Sequence, residues 1–572
     1  MQYRETYQKW LDSPVVDAAT KEELRAIAND EKEIKERFYK DLEFGTGGLR
    51  GIIAAGSNRM NIYTVRKATQ GLAEDILNCG EQEKGVVIAY DSRHKSYDFA
   101  IESAKVLAAN GIKAYVFDEL RPTPELSFAV RYLKAARGIV ITASHNPKEY
   151  NGYKAYGEDG GQLPPKSSDY VIGIIESIDI FDGVKVMDEQ AARGAGLLVT
   201  IGKDVDDAFL SAVRGQSINE ENFAKLGDGF KVIYTPFHGT GNKPVRRILE
   251  MTGVKNVSVV KEQELPDPDF STVKSPNPEE KEGFSYAIEM AKQNGADLIF
   301  ATDPDCDRIG VVTRNKQGEY VTLSGNQTGV LLTEFILRNK KQNGTLPDNG
   351  AVIKTIVTTP MVEPIAKAYG VKVYDVLTGF KFIGELIRDF EENGYYSQYL
   401  FGFEESYGYL AGTYARDKDA VVASMLVCQM AADYKVRGMT LYEGLLSLYE
   451  TYGYYQERLK NIVLTGMDGV EKIRGIMESF RANPPKELDG SQVTEVWDVQ
   501  AGTAVKAGGT VAKLDLPKSN VLKFFTADGA WIAMRPSGTE PKIKFYFGVC
   551  EQGLEAANAK LDRLEKKIQE SL

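Results

Sequence analysis

One pattern occurs three times in this chain and constrains its fold more than any other feature. A short apolar run leads into a polar loop, a helical stretch, a glycine and a second apolar run. The first copy reads GVVIAYDSRHKS, YDFAIESAKVLAAN and GIKAYVFD; the second reads FKVIYTPFHGTG, NKPVRRILEMT and GVKNVSVV. The third reads GAVIKTIVTTP, MVEPIAKAY and GVKVYDVL. In each copy the passage from helix to strand falls on a glycine: Gly111, Gly253 and Gly370. Glycine there takes the left-handed conformation that ends a helix without a Cβ clash. Unbroken apolar strands joined by helices predict parallel sheets covered on both faces. Three such units predict three related α/β domains with mixed, largely parallel sheets.

The C-terminal part has a different rhythm. VLKFFTADGAWIAMRPS holds an Asp528-Gly529 turn between two β-prone runs, followed by KIKFYFGV and a helix from about Leu554. That pattern predicts a smaller antiparallel α+β domain, reached through the proline-containing stretch RANPPKELDGSQ. The expected domains are 1–205, 206–322, 323–460 and 461–572. At the N-terminus, Thr20 and Glu23 have capping-box spacing ahead of LRAIANDEKEIKERFYKDL and predict one helix there.

A chain of 572 residues exceeds what one hydrophobic core organises, which agrees with several domains. Its formal charge of −11 argues against nucleic acid as a partner, but not against a small anion in a local basic pocket. Cys79, Cys306, Cys428 and Cys550 are scattered, with no pair spaced for zinc or for a disulfide framework. No apolar stretch reaches membrane-spanning length, and MQYRETYQKWLD lacks the apolar core of a signal peptide. The expectation is a cytoplasmic protein that engages no membrane.

Several short stretches carry chemistry. In ITASHNPKEYNGYK, Ser144 follows a buried-strand run, where ligands gather in open α/β sheets. Neighbours on extended backbone point to opposite faces, so His145 is expected to be badly placed to take the Ser144 proton. ADLIFATDPDCDR places Asp303, Asp305 and Asp307 at alternate positions. On extended backbone all three face one way and repel unless a cation lies among them. An all-oxygen set favours Mg²⁺, Mn²⁺ or Ca²⁺ over zinc. An EF-hand is excluded, because Arg308 stands where its glycine would be and Arg314 where its glutamate would be. Arg308 beside the acids also suggests an anion-handling group. MRPSGTEPKIK offers Arg535, Ser537, Gly538, Thr539 and Lys542, a set able to hold an anion without Walker-loop spacing. FGFEESYGYL holds Glu404, Glu405 and Ser406, suited to bonding a polyol. FGTGGLRG puts Arg50 on a pliable segment.

TASHNP, DPDCDR, GFEES and RPSGTEPK, in that order and one per expected domain, resemble the α-D-phosphohexomutase superfamily. The resemblance runs from GTGGLRG to the C-terminal domain and is nearest to its phosphoglucomutases, in the long branch that also holds phosphopentomutases and glucose-1,6-bisphosphate synthases. It implies four domains around a central cleft, with Ser144 as a phosphoserine and Asp303, Asp305, Asp307 and Ser144 as ligands of Mg²⁺. It further implies that Glu404 and Ser406 hold sugar hydroxyls, and that Arg535, Ser537, Gly538 and Thr539 hold the distal phosphate. Arg308 joins the substrate-binding set. Lys154 and Lys418 fall near the reacting hydroxyl and are both candidate bases, while Arg50, Asp91 and Arg93 line the site. His145 counts among the catalytic residues but is not the base of Ser144.

The implied activity interconverts glucose 1-phosphate and glucose 6-phosphate through glucose 1,6-bisphosphate, as intermediate and activator. Phosphopentomutase, phosphomannomutase and bisphosphate synthase stay open as alternatives, as does a sugar-phosphate-binding paralogue without turnover. Gly408 stands where bacterial phosphomannomutases carry a histidine, which weighs against mannose. Small sugar phosphates are the expected partners of a monomer or weak dimer.

Overall fold

The three glycines do what the repeat demands. In a computed structural model, which describes the chain except at 1, 46, 465, 466, 538–541 and 572, Gly111, Gly253 and Gly370 have φ of 74°, 90° and 74°. Each amide bonds back into the preceding helix, to Ala108, Glu250 and Lys367 oxygens at 3.0, 3.0 and 3.1 Å. The next amide reaches one residue further back in every case. This paired cap closes the helix and releases the chain directly into a strand.

The chain divides into two compact units, and neither is continuous in sequence. One comprises Met1–Ser324, Phe380–Phe401 and Ser406–Thr440; the other comprises Gly325–Gly379, Gly402–Glu405 and Leu441–Leu572.

Among the described residues the first unit holds two mixed sheets. The strands β1 (Gly48–Ile52), β2 (Val86–Tyr90), β3 (Ala114–Phe117), β4 (Arg137–Ile141), β5 (Tyr150–Tyr156) and β6 (Leu198–Ile201) lie in the order β1-β5-β4-β2-β3-β6. Strand β2 runs parallel to β3 and β4, and β3 parallel to β6, whereas β5 is antiparallel to β1 and β4. The second sheet, from β7 (Lys231–Thr235), β8 (Asn256–Val259), β9 (Leu298–Thr302), β10 (Ile309–Arg314) and β11 (Tyr320–Leu323), has the order β11-β10-β9-β7-β8. Here β7 is parallel to β8 and β9, while β10 reverses against β9. Strands β2 and β9 are buried along their whole length, as expected of sheets covered on both faces.

The second unit holds the third repeat, whose strands Gly350–Thr355 and Lys372–Val376 pair in parallel. It ends in an antiparallel sheet, Asp528-Gly529 turning Leu522–Thr526 into Trp531–Pro536. The terminal helix, Leu554–Gln569, packs Leu561, Leu564 and Ile568 with Phe545 and Phe547 of that sheet.

One local expectation fails. After a first helix at Gln2–Asp12, the expected one begins under Asp17, whose carboxylate accepts from the Thr20 amide, and it stops at Ala26. Another helix, Glu31–Phe38, starts afresh under Asp30. Aspartate bonds freed backbone N–H groups at a helix start better than it serves a helix interior, so the acids inside the run divide it.

Candidate active site

Strand ends in the first unit deliver the chemistry. Strand β4 ends at Ile141, and the chain bends sharply at Ser144, whose φ is 52°. The bend is fastened from both sides. The Ser144 amide donates to Thr142 Oγ1 at 2.8 Å, and Thr142 donates to Asp91 Oδ2 at 2.7 Å. The buried Arg93 guanidinium donates to the carbonyls of Ser144, Asn146, Pro147 and Tyr150, at 2.6, 2.5, 2.8 and 3.1 Å. Asp91 pairs with Arg93 Nε at 3.2 Å. Burial raises the Asp91 pKa and lowers that of Arg93, and each partner's charge opposes the shift of the other.

Ser144 Oγ donates to Asp303 Oδ2 at 3.0 Å and lies 3.2 Å from His145 Nδ1. The expectation that the histidine points away is therefore wrong. Ser144 is not on extended backbone, and the left-handed bend turns the two side chains toward one another. Burial, then the charges of Arg308 and Arg50, push the His145 pKa well below its ordinary value, so its ring is neutral at pH 7.

Asp303, Asp305 and Asp307 converge just beyond β9, but not by extended alternation. The loop is a tight turn: the Cys306 amide donates to the Asp303 carbonyl at 2.9 Å, and Cys306 has φ 52°. All three acids are buried, with ligand oxygens within 4.8 Å of one another. Asp303 Oδ1 accepts the amides of Asp307 and Arg308 at 3.0 and 2.9 Å. Asp305 Oδ2 takes Lys154 Nζ at 2.8 Å and Thr123 Oγ1 at 3.1 Å. Asp307 Oδ2 meets Lys418 Nζ at 3.1 Å and Lys154 Nζ at 3.5 Å.

Asp305 Oδ1 and Asp307 Oδ1 are buried without any hydrogen-bond partner. Two open oxygens in an all-carboxylate set fit a hard divalent cation, so the cluster can hold a metal ion. Burial, then the charges of Asp305 and Asp307, push Asp303 well above the usual carboxylate range. Burial acts on Asp305 in the same sense, yet Lys154 outweighs it and holds that carboxyl low. Burial also works against the Lys154 ammonium, and the two aspartates more than offset it.

Lys154 owes its position to β5, where it pairs with Gly48 on one side and Val140 on the other. Lys418 is also 3.0 Å from Asp417, whose other oxygen accepts from Tyr156 at 2.7 Å. A Cβ on Gly408 would stand 2.1 Å from Lys418 Cδ, so the missing side chain at 408 makes room for the lysine stem. Gly408 also bridges to Arg308, and the Ile309 amide donates to Tyr407 O at 3.1 Å, which ties the Ser406 turn to the acidic loop. Arg308 Nη1 pairs with Glu279 at 2.8 Å, and Arg50 Nη1 donates to Asn146 Oδ1 at 3.3 Å.

The second unit carries the remaining candidates. Glu404 Oε1 accepts the Gly379 amide at 2.8 Å, and Glu405 Oε2 accepts from Thr355 and Thr358 at 3.2 and 3.3 Å. Arg535 ends the strand Trp531–Pro536 and bonds the buried Tyr546 hydroxyl, which also feels the charges of Glu405 and Glu404. The Ser537 amide donates to Lys542 O at 2.7 Å. Gly538 and Thr539 lie outside the described residues. Sequence reading missed Thr123, which bonds Asp305 from another strand's loop. Its stretch, RPTPE, gives no sign of a role.

Four consecutive domain models of one family match this chain: phosphoglucomutase/phosphomannomutase alpha/beta/alpha domain I at 41–180, domain II at 207–318, domain III at 324–452, and the C-terminal domain at 481–562. Over 515 residues, 90% of each chain, it is 38% identical to the phosphoglucomutase of Staphylococcus aureus strain MRSA252. The chain belongs to the phosphoglucomutase/phosphomannomutase family. The S. aureus N315 phosphoglucomutase is equally similar, 38% over the same length. The phosphoglucomutase/phosphomannomutase fold is shared with solved structures of low sequence identity. One is the Paramecium phosphoglucomutase pp63/parafusin in its open form (TM-score 0.68, 18% identity, 93% of this chain and 94% of that one). Another is a phosphoglucomutase/phosphomannomutase family protein of Burkholderia thailandensis (TM-score 0.65, 17%, 91% and 96%).

Proposed function

We propose that this chain is an Mg²⁺-dependent phosphoglucomutase, an isomerase that interconverts glucose 1-phosphate and glucose 6-phosphate through a phosphoserine at Ser144 and glucose 1,6-bisphosphate. One observation carries the reading: a hydroxyl on a strained, over-fastened bend lies 3.0 Å from a buried set of carboxylates with two open oxygens. Asp303, Asp305, Asp307 and Ser144 would hold Mg²⁺, which supplies neutralisation of charge on the phosphoryl group in transit.

The chain's own part is to position groups and account for protons. A sugar hydroxyl attacks phosphorus, a new P–O bond forms to the sugar, and the P–O bond to Ser144 breaks with its electron pair leaving on Oγ. The proton lost by the attacking hydroxyl must be balanced by one gained at Ser144 Oγ. Lys154 and Lys418 stand beside the carboxylates as the two candidate bases; Lys154, held as an ammonium by Asp305 and Asp307, must shed its own proton before it can take one, and His145 Nδ1 lies beside the serine. Arg93 keeps the serine carbonyl and its loop from moving as charge shifts. The bisphosphate then turns round and returns its other phosphate to Ser144. Sugar hydroxyls for Glu404 and Ser406, and phosphate for Arg535, Ser537, Gly538, Thr539, Arg308 and Arg50, belong to this proposal.

So do domain divisions at 205, 322 and 460, a monomer or weak dimer, and a cytoplasmic setting, in keeping with four free cysteines. No helix among the described residues is long and apolar enough to cross a membrane.

The test is a coupled assay with glucose 1-phosphate, with and without Mg²⁺ and glucose 1,6-bisphosphate, alongside intact mass. Turnover should need the ion, rise with bisphosphate, and accompany one added phosphoryl group. Ser144→Ala should remove that mass and lower turnover by at least roughly 10³-fold; unchanged turnover would end the assignment. Initial rates on mannose, ribose and deoxyribose 1-phosphates check the sugar, and a strong pentose preference would make the enzyme a phosphopentomutase.

A further inference from the structure

Behind the acidic loop, within the first unit, lies a cavity of about 480 Å³, in the size range of small-molecule sites. Its walls are largely apolar: Tyr90, Leu120, Leu210, Pro244, Leu265 and Pro266. Glu125 and Thr240 also line it. Both are almost wholly buried, at 1% and 2% exposure, and Glu125 Oε1 and Thr240 Oγ1 have no hydrogen-bond partner. Such orphaned atoms cost free energy that a ligand's donor would recover.

The neighbouring cations do not fill that need. Arg121 Nε is 3.9 Å from Glu125 Oε1, and it is committed to Asp206 at 2.8 Å, with Nη2 on Asp118 at 2.9 Å. Arg247 is turned to Asp207, and Lys243 to Glu119. The lining acids Asp118, Glu119, Glu125 and Asp206 therefore leave the interior short of positive charge. Burial, then the hydrogen bond and charge of Asp206 beside it, push Glu125 well above the usual carboxylate range, so the carboxyl keeps its proton until a cation arrives to stabilise the anion.

The same walls grip the acidic loop. Glu125 lies in the first turn of the helix that starts at Thr123, whose amide donates to Asp305 O at 2.9 Å and whose hydroxyl donates to Asp305 Oδ2 at 3.1 Å. Thr240 grips the loop too, its amide donating to Pro304 O at 2.8 Å. A Cβ on Gly239 would stand 2.5 Å from Pro304 Cα, so the wall at Gly239 and the loop are in direct contact. A shift of either wall is a shift of Pro304 and Asp305.

We propose that this cavity is a second ligand site, taking a small molecule with a primary ammonium on an apolar body, and that filling it alters turnover at Ser144 through Pro304 and Asp305. The ammonium meets Glu125 Oε1 and Thr240 Oγ1, and the apolar body covers the leucine and proline walls.

Isothermal titration of the full-length protein with tyramine tests the site, with 4-hydroxyphenylacetate, the same ring bearing an anion, as its counterpart. Tyramine should bind saturably at one site, and the anion should not. Leu265 is 69% exposed at the rim, so Leu265→Trp can obstruct the cavity without entering the core. It should abolish binding, while Glu125→Gln should weaken it about ten-fold; melting curves confirm that both variants are folded. No saturable heat, equal binding of both probes, or unaltered tyramine binding in Leu265→Trp would each overturn the site. The turnover arm rests on the mutase reading and the calorimetric arm does not. In active enzyme, saturating tyramine should change kcat with KM unmoved, and binding without that change would overturn the coupling. A protein with no mutase activity would sink the mutase reading while leaving the binding result to decide the site.

Discussion

Two buried sites, one in each unit, show opposite ways of holding charge. In the second unit Lys523 is only 7% exposed, and the contacts it has come from the chain itself. Its ammonium donates to Ile356 O at 2.6 Å and lies 4.4 Å from the ring centre of Trp531 and 4.7 Å from that of Phe525. Burial, then the charge of Lys354, push its pKa down to about 7. In the first unit three carboxylates are packed together, two lysines are drawn against them, and two oxygens are still left open. A buried amine packed against a carbonyl and ring faces, at the cost of a depressed pKa, belongs to the architecture. A buried charge held in place and left incomplete marks where something else binds.

Asp305→Asn breaks the comparison most severely. It should lower turnover roughly 10³-fold and abolish the rise in melting temperature that Mg²⁺ gives the parent protein. An undiminished Mg²⁺ response in calorimetry would place the ion elsewhere.

Lys523→Met sharpens the other side. A lysine with a depressed pKa is penalised most when both states would carry the proton, below about pH 7. Between there and the ordinary lysine value the unfolded chain holds more protons than the folded one, so stability rises with pH. Denaturant titrations should show the parent gaining on the order of 2–3 kcal/mol relative to Lys523→Met between pH 7 and 10, with catalysis at pH 7 little changed. A flat difference would mean that the aromatic faces keep the ammonium charged throughout.

Gly408→Ala is the smallest perturbation and tests whether Lys418 must stand where it does. The added methyl cannot coexist with the lysine stem. Steady-state kinetics should show kcat falling about ten-fold while the melting temperature moves little. An unaffected kcat would remove Lys418 from the proton path.

Much of this was legible in the residues. The strand–helix–glycine repeat gave three parallel units because a left-handed glycine and an unbroken apolar strand are local demands. The aspartate triplet was also visible, but for a partly mistaken reason. Alternation on extended backbone would align the acids, whereas a turn with Cys306 at positive φ is what gathers them. The same error set His145 on the wrong side of Ser144. Positive φ at a non-glycine residue is imposed by tertiary fastening, here Arg93 and Thr142, and no local propensity announces it. Thr123, Asp417 and the cavity beside Glu125 escaped for a related reason: they matter through groups distant in sequence. The N-terminal helix broke because capping acids were counted as helix interior.

The interleaved course of the chain has a consequence for its synthesis. The first unit is complete only when residues up to Thr440 are present, because Phe380–Phe401 and Ser406–Thr440 belong to it. Lys418, which leans on Asp307, is made more than a hundred residues after that aspartate. On the ribosome the acidic loop must therefore wait, its charges only partly compensated, while Gly325–Gly379 and Gly402–Glu405 of the other unit are translated. A nascent chain stopped before residue 418 should carry a looser, more protease-sensitive loop at 303–307 than one released in full.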